Sequence, residues 1–286
     1  MHDIVMAGKE PSWREQLNSL RGQIAEAEKQ REIRKKLEME RNKEALSARL
    51  RRDTPQALQA EYNRLRETCQ RIARRLYPPD ALRAQLDAIA ELGERLRFYR
   101  ECQKDYGDLF SAEMRQTLMR LLSDLGELQR GMDRQLGQWA PVETILRATA
   151  WRPPQPADAR RLVEISKVYN EKAFSLTLSL PGDFYAEESQ NFFVAEHGGN
   201  AYGFVKYWPA DDAITFAVVP LGEVNFRKFI RGFVHCFYTS GHIQPRAPVV
   251  RVRLSHPAEF RFFADMGFAR AESKSLTDSI YQRELD

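Results

Sequence analysis

Apolar residues in the first half of the chain recur at intervals of three and four, which is the spacing of one face of an α-helix. The most regular stripe lies in residues 56–77 and consists of Leu58, Tyr62, Leu65, Cys69, Ile72 and Leu76. Similar stripes cover residues 82–99 and 114–136, and a less regular one begins with Leu17, Leu20, Ile24 and Ala27. We therefore predict a long first helix over 11–52 and three further helices.

Short turns separate these predicted helices. Asp53-Thr54-Pro55 and Pro78-Pro79-Asp80 each combine a helix stop with a capping residue and a proline suited to a first helical turn. Short connections favour antiparallel neighbours. The pattern predicts a helical hairpin, bundle or coiled coil over residues 1–138, formed within one chain or completed by a second copy as a homo-oligomer.

The pattern changes after Gly137-Gln-Trp-Ala-Pro141, where alternating and continuous apolar runs begin. They predict strands at 145–151, 191–196, 201–208, 213–219, 249–254 and 280–285. A proline-started helix at 156, a second apolar segment at 173–180 and a helix at 257–266 lie between them. This order predicts an α/β domain with a mixed sheet over residues 139–286, and an α+β class for the whole chain.

Residues 212–241 form the most informative part of that domain. An apolar run at 213–219 is broken by Pro220 and Gly222, and apolar positions then recur at helical spacing: Phe226, Phe229, Ile230, Phe233 and Phe237. This pattern predicts a strand, a turn and a helix. Because the first backbone amides of a helix lack partners within it, the turn is the expected site of a phosphate-bearing ligand.

Composition narrows the class of protein. Hydrophobic residues make up 43% of 286, enough for a core, while a mean hydropathy of -0.56 indicates a large solvated helix array. Three widely spaced cysteines with no CxxC pattern argue against a disulfide framework and against a metal site. No apolar run approaches the roughly 20 residues that span a bilayer, and the N-terminus lacks a secretory signal. We expect a cytoplasmic protein that does not enter the membrane.

The formal charge of +4 is small, but basic residues exceed acidic ones in residues 1–77. Acidic and basic residues alternate there and aromatic residues for base stacking are absent, so we interpret this region as a solvated helix surface. We interpret the cluster Arg71, Arg74 and Arg75 as surface in the same way, and Cys69 as core. Nucleic acid stays open as a weaker alternative partner.

Several local motifs occur in one order between residues 144 and 286. They are the strand with Arg152-Pro153, the helix start Pro156-Ala157-Asp158, the hairpin FFVAEHGGNAYGFVKYW, the strand ITFAVVP, and EFRFFADMGFA with Phe263, Gly267 and Phe268. In this order they resemble the GNAT superfamily of acyl-CoA-dependent N-acyltransferases. The resemblance implies that acetyl-CoA or another acyl-CoA lies between the fourth and fifth strands.

The resemblance also implies which residues hold the acyl-CoA. The strand backbone at Phe216, Val218 and Val219 is expected to pair with pantetheine, the turn and helix start at Gly222, Asn225, Arg227 and Lys228 to bind the pyrophosphate, and Phe263 to lie at the acyl-CoA motif. The chain departs from the family loop Q/R-x-x-G-x-G/A, because Phe226 and Lys228 stand where glycines are expected. Asn225 is expected to cap the helix and leave the amides of Arg227 and Lys228 available.

Acylation of an amine needs a base for the ammonium and an acid for the departing thiolate. The family's usual acid is a tyrosine at the position of Phe263, which cannot donate a proton. Tyr238 is therefore a candidate acid, with Tyr281 and His256 as further substitutes, and strand-end carboxylates at Asp212, Glu196 and Asp211 are candidate bases.

Two functions stay open from the sequence. One is an acyl-CoA-dependent N-acetyltransferase whose helical region recruits a protein partner or a second copy. The other is a catalytically silent GNAT-like domain that serves as a structural or acyl-CoA-sensing module of a coiled-coil assembly protein. Segments 168–188 and 207–212 are expected to select the acyl acceptor, but neither carries a recognisable motif.

Overall fold

The computed structural model describes residues 13–174, 191–275 and 278–285. These residues form two compact units. The first combines the described residues up to Asn63 with Glu94–Ser123, and the second combines Arg64–Gly93 with the described residues from Asp124 onward. The predicted boundary between residues 138 and 139 stays a prediction.

Four long helices come first among the described residues. They are α1 (Trp13–Arg52), α2 (Pro55–Ala73), α3 (Pro79–Asp105) and α4 (Ala112–Arg147), with a short 3-10 helix at Gly107–Leu109. The caps follow the sequence: the hydroxyl of Thr54 accepts from the Ala57 amide at 3.2 Å, and that of Ser111 from the Met114 amide at 3.1 Å. The heptad positions of α2 are buried except Leu65, which is half-buried, so that stripe packs as predicted.

The apolar stripe at the start of α1 is exposed. Leu20 and Ile24 are 56% and 58% exposed, and Leu17, Ile33 and Leu37 are exposed as well, whereas Leu46 is buried near the helix end. No described element of the chain covers this stripe. Its spacing therefore predicted the helix correctly without identifying a packing partner.

The end of α4 corrects the sequence prediction at residues 137–151. The helix continues through Pro141 to Arg147, and the strand predicted over 145–151 is limited to Ala150–Arg152. Trp139, Val142 and Leu146 are buried at helical spacing. Their packing outweighs the tendency of proline to end a helix.

A seven-stranded mixed sheet forms the centre of the second unit, which confirms the predicted α+β class. Its strands are β1 (Ala150–Arg152), β2 (Phe192–His197), β3 (Asn200–Trp208), β4 (Ala213–Val218), β5 (Val249–Leu254), β6 (Ala269–Ser275) and β7 (Asp278–Glu284). Their spatial order is β1-β2-β3-β4-β5-β7-β6. Only β4 and β5 are parallel among these described strands. Strand β6 was not predicted, because ARAESKS contains no apolar run.

Three described helices accompany the sheet: α5 (Ala159–Phe174), α6 (Phe226–Thr239) and α7 (Pro257–Asp265). The predicted segment 173–180 lies outside the described residues beyond Phe174. Helix α6 packs closely against β3, because a Cβ at Gly203 would lie 2.9 Å from the ring of Phe233. This contact places the middle of α6 against β3 at Gly203, the residue that pairs with Val218 of β4.

Candidate functional site

The parallel strands β4 and β5 separate soon after they meet. Among the described residues they share one register pair, Ile214 with Val252, whereas β3 and β4 pair continuously from Gly203–Val218 to Trp208–Ala213. Beyond Ile214 the edge of β4 therefore has no ladder partner in β5. The result is a gap at the carboxyl ends of the two strands, beside Phe216 and Val218.

Aromatic rings pack around Phe216 at this gap. Its ring centroid lies 5.6 Å from Tyr169 of α5, 5.9 Å from Phe233 of α6 and 6.0 Å from Phe263 of α7. Phe216 and Phe263 are both buried. The gap beside β4 is thus bordered by rings from three helices, and any ligand that enters it must contact or displace them.

The start of α6 follows a turn in which Gly222 adopts a positive φ of 74°. Asn225 caps the helix as predicted, and its Oδ1 accepts from the Lys228 amide at 3.0 Å. This bond corrects the expectation that the Lys228 amide is available to a ligand, because the cap already uses it. The ring of Phe226 lies 6.1 Å from that of Tyr169.

The two cations of this turn point to different neighbours. Arg227 forms an ion pair with Asp265 of α7 at 3.3 Å and lies over the ring of Phe262. The ammonium of Lys228 donates to the side chain of Gln138 in α4, and burial together with Arg231 lowers its pKa. Arg227 is therefore directed toward α7, and Lys228 toward α4.

A cleft of about 440 Å³ opens beside Arg227. It is lined by the end of α5, by Arg227, and by α7 residues that include Arg261, Phe262 and Asp265. The combination of two guanidinium groups with apolar surface suits an anion that carries an apolar part.

The contacts of Asp212 favour a structural role rather than that of the predicted base. It is buried, with a positive φ of 50°, and its carboxylate accepts from the Tyr207 hydroxyl at 2.8 Å and the Arg246 amide at 2.9 Å. Burial and the bond to Asp212 raise the pKa of Tyr207 to about 12. The carboxylate fixes the chain before β4 and holds the following loop.

The hydroxyl of Tyr238 is also engaged. It donates to the carbonyl oxygen of Arg251 and accepts from the Arg251 amide, both at 2.9 Å, which ties α6 to β5. Burial raises its pKa. These contacts favour a structural role for Tyr238 over the acid function predicted from the sequence.

Glu196 lies on β2 in an ion pair with Arg152 at 2.6 Å. Arg152 also binds both oxygens of Asp158, at 2.6 and 2.8 Å, and lowers the pKa of that carboxyl. Strand register places Glu196 opposite the start of β3, level with the end of β4, whereas Asp212 precedes the start of β4. The structure thus places Glu196 and Asp212 at opposite ends of the strands.

Two residues near the gap were not identified from the sequence. Tyr169 borders Phe216, and its pKa is raised by burial and by the charge of Glu259. The pKa of the Glu259 carboxyl is itself raised by burial, although the Ser255 and His256 amides donate to it at 2.6 and 2.8 Å. In the sequence Tyr169 belongs to an apolar helix stripe and Glu259 to a helix capping box, so neither suggested chemistry.

The other substitutes lie elsewhere in the packing. Tyr281 of β7 stacks on Phe260 with ring centroids 5.5 Å apart. His256 caps α7, and its Nδ1 accepts from the Ala258 amide at 3.2 Å. Tyr169 is consequently the tyrosine that best fits the gap.

Neither a metal-ligand cluster nor a membrane-spanning helix is found among the described residues. They contain no cluster of three or more histidine, cysteine or acidic side chains arranged to hold a metal ion. Among the described helices, none is both long enough and apolar enough to cross a membrane.

No protein-family model and no curated protein sequence matches this chain. Among solved structures, the C-terminal half of the chain is similar to GNAT acetyltransferases. N-acetylglutamate synthase from Neisseria gonorrhoeae, complexed with coenzyme A and N-acetyl-glutamate, has 18% identity and a TM-score of 0.33. The match covers 48% of this chain and 35% of the synthase.

Two further solved structures match the same share of this chain, 48%. The GNAT domain of PAT from S. lividans has 15% identity, 90% coverage of that chain and a TM-score of 0.33. Diaminobutyrate acetyltransferase from Paenibacillus lautus, in complex with diaminobutyric acid and coenzyme A, has 15% identity, 94% coverage and a TM-score of 0.30.

Proposed function

We propose that the second unit binds an acyl-CoA thioester in the gap between β4 and β5 and transfers its acyl group to an amine. The separation of these strands after the Ile214–Val252 pair carries the proposal. It leaves an edge of β4 beside Phe216 and Val218 where an extended chain with amide groups can form backbone hydrogen bonds. Pantetheine is such a chain.

The residues around the gap suit the rest of this substrate. Arg227 and Arg261 in the 440 Å³ cleft would hold the phosphates, and Phe262 offers apolar surface beside them. The thioester supplies an acyl carbonyl with a good leaving group. Binding requires Arg227 to exchange Asp265 for phosphate, and the rings of Phe216 and Phe263 to give way.

Tyr169 and Glu259 are the groups placed to move protons in this proposal. Glu259, with its raised pKa, would accept a proton from the ammonium of the acceptor. The free amine then attacks the thioester carbonyl carbon, the carbon–sulfur bond breaks, and Tyr169 would donate its proton to the departing thiolate. The second proton, which the attacking nitrogen loses as the amide forms, would restore the Tyr169 hydroxyl. The products are an amide and free coenzyme A.

The exposed stripe on α1 supports a role in assembly. Leu17, Leu20 and Ile24 follow heptad spacing and face solvent. A second copy of the chain supplies a matching stripe, so we include in the proposal a homo-oligomer formed through α1 that presents the second unit to its substrate.

A catalytically silent module is the second candidate. Specific contacts favour it: the buried Phe263 packs on Phe216 inside the gap, and the Lys228 amide is already bonded to Asn225. In this function the ring packing is permanent, and the second unit serves as a structural or acyl-CoA-sensing part of an assembly.

Calorimetric titration of the full-length protein with acetyl-CoA tests both candidates. The acyltransferase proposal predicts saturable binding and release of free coenzyme A thiol when amines are added. R227E/R261E should weaken binding about 10-fold or more. R64E/R160E makes the same charge change at exposed positions outside the cleft and should leave affinity unchanged.

The outcomes separate the functions. Binding without thiol release across peptide amines, polyamines and amino acids would favour the acyl-CoA-sensing module. No detectable binding up to about 1 mM acetyl-CoA would exclude both acyl transfer and sensing at any useful affinity.

A further inference from the structure

A basic cavity of about 560 Å³ lies in the second unit, with no lining residue in common with the cleft beside Arg227. Arg71, Arg74 and Arg75, at and just beyond the end of α2, line one side, and Arg283 of β7 contributes a fourth guanidinium. Glu284 is the one acidic residue in the lining. Two distant segments of the chain therefore bring four arginines to one concave surface.

The three arginines of the α2 end carry charge that the described protein does not neutralise. None of them forms an ion pair with a described carboxylate, and Arg71 donates to the Thr68 hydroxyl at 3.4 Å. The negative end of the helix dipole accounts for a cation in the last turn of α2. It does not account for Arg283, which reaches the same cavity from a strand.

The backbone around these arginines is held in place. Arg231 of α6 donates to the Leu76 carbonyl at 3.2 Å and also to the Arg75 carbonyl, which fixes the turn after α2. Arg283 donates to the Met266 carbonyl. Gly267, at φ 87°, leaves room for this guanidinium, since a Cβ there would lie 3.1 Å from Nη1 of Arg283. The turn after α2 and the guanidinium of Arg283 are consequently held in position on the two sides of the cavity.

We propose that this cavity binds a small anion with two or more adjacent phosphate groups. Guanidinium groups bind phosphate oxygens in pairs, and several of them around one concavity match several phosphates. The volume is within the range of small-molecule sites. Because the lining contains no aromatic ring, recognition rests on charge rather than on stacking with a base.

Calorimetric titration of the full-length protein with inorganic tripolyphosphate at low salt tests the site. We expect saturable binding that weakens as salt is added. R74E/R75E should weaken it about 10-fold or more, while R64E/R66E, with the same charge change at exposed positions within α2, should change it by less than about twofold. E284Q removes the carboxylate from the lining and should tighten binding.

Thermal denaturation of each variant establishes that it is folded, and acetyl-CoA affinity should be the same in R74E/R75E as in the parent, which separates this site from the proposed acyl-CoA gap. Equal weakening by both double variants, or no binding at about 1 mM tripolyphosphate, would overturn the proposal. Binding of a single-stranded oligonucleotide that R74E/R75E abolishes, without tripolyphosphate binding, would replace the small anion by nucleic acid.

Discussion

Phe263 lies against Phe216 at the point where β4 and β5 separate, with ring centroids 6.0 Å apart and ring planes at 82°. This pair joins α7 to β4 across the space that the proposed thioester would occupy. The separation of the two strands favours binding of a ligand, whereas the packed rings occupy the space that the ligand would need. The balance between the two effects decides whether the second unit is an enzyme or a silent module.

Replacing Phe216 with leucine should open the gap. We expect F216L to bind acetyl-CoA more tightly than the parent, because a smaller side chain leaves room for pantetheine, and to lose about 1–3 kcal/mol of unfolding free energy through lost packing. Calorimetry and denaturant unfolding measure the two effects. The matched control is F192L, since Phe192 of β2 is equally buried and stacks on Phe204 away from the gap. An equal change of affinity in both variants would contradict this assignment of the gap.

Tyr169 should affect turnover more than binding. We expect Y169F to lower kcat by about 10²-fold with little change in KM for acetyl-CoA, because it removes a proton donor and keeps the ring. The control Y281F removes a hydroxyl from a tyrosine that stacks on Phe260 and should leave kcat unchanged. Unchanged kcat in Y169F would remove the tyrosine from the mechanism.

Local signals explain which elements the sequence predicted well. Strands β2 to β5 and helix α6 lie within two residues of their predicted limits, because apolar runs and proline or glycine breaks mark their ends. The hairpin turn was predictable for the same reason, since Gly198 and Gly199 adopt the positive φ values of 55° and 81° that such a turn needs. The Asn225 cap was predictable as well, because it joins Asn225 to Lys228, only three residues later in the sequence.

The roles of site residues depend on contacts that are distant in sequence. Asp212 looked like a base at a strand end, but the Arg246 amide and the Tyr207 hydroxyl engage it. Tyr238 looked like a substitute acid, but its hydroxyl is hydrogen-bonded to the backbone of Arg251. The position of Tyr169 depends on how α5 packs on β4. The apolar periodicity of α5 does not reveal which strand the helix contacts.

The Asp212 carboxylate is expected to stabilise the fold and to raise the pKa of Tyr207. D212N keeps a side chain that tolerates positive φ, but an amide cannot satisfy both donors as the carboxylate does, so unfolding free energy should fall by about 1–3 kcal/mol. The pKa of Tyr207 should fall from about 12 toward its ordinary value of 10.0, yet stay above it because burial persists. NMR titration with labelled tyrosine measures the shift. D87N, at an exposed position, is the control; a Tyr207 pKa unaffected by D212N would contradict the coupling.

Glu259 gives a pH-dependent prediction. Burial raises the pKa of its carboxyl above the usual 4.5, so the folded state favours the protonated form. Ionisation therefore lowers stability as the pH rises from 4.5 through the raised pKa, and this loss is absent below 4.5. E259Q keeps an oxygen that accepts from the Ser255 and His256 amides.

We accordingly expect E259Q to be more stable than the parent at pH 7, by an amount on the order of 1 kcal/mol, and about equally stable at pH 4. Denaturant unfolding of both proteins across this range measures the difference. E171Q, at an exposed carboxylate of α5, controls for loss of charge alone. If the stability difference between E259Q and the parent shrinks as the pH rises, the direction assigned to the Glu259 pKa shift is wrong.

The exposed stripe on α1 should mediate self-association. In a homo-oligomer Leu20 and Ile24, now more than half exposed, would be buried against the same stripe of a second copy, and a charge at these positions would be costly to bury. We expect the parent to sediment as an oligomer whose mass depends on concentration, and L20K/I24K to sediment as a monomer. E26K makes the same charge change of two units at an exposed polar position of α1 and should preserve association. Because these substitutions lie on a solvent-facing helix surface, the monomer should keep the helical circular dichroism of the parent. A monomeric parent at all concentrations would show that this stripe serves a different protein or none.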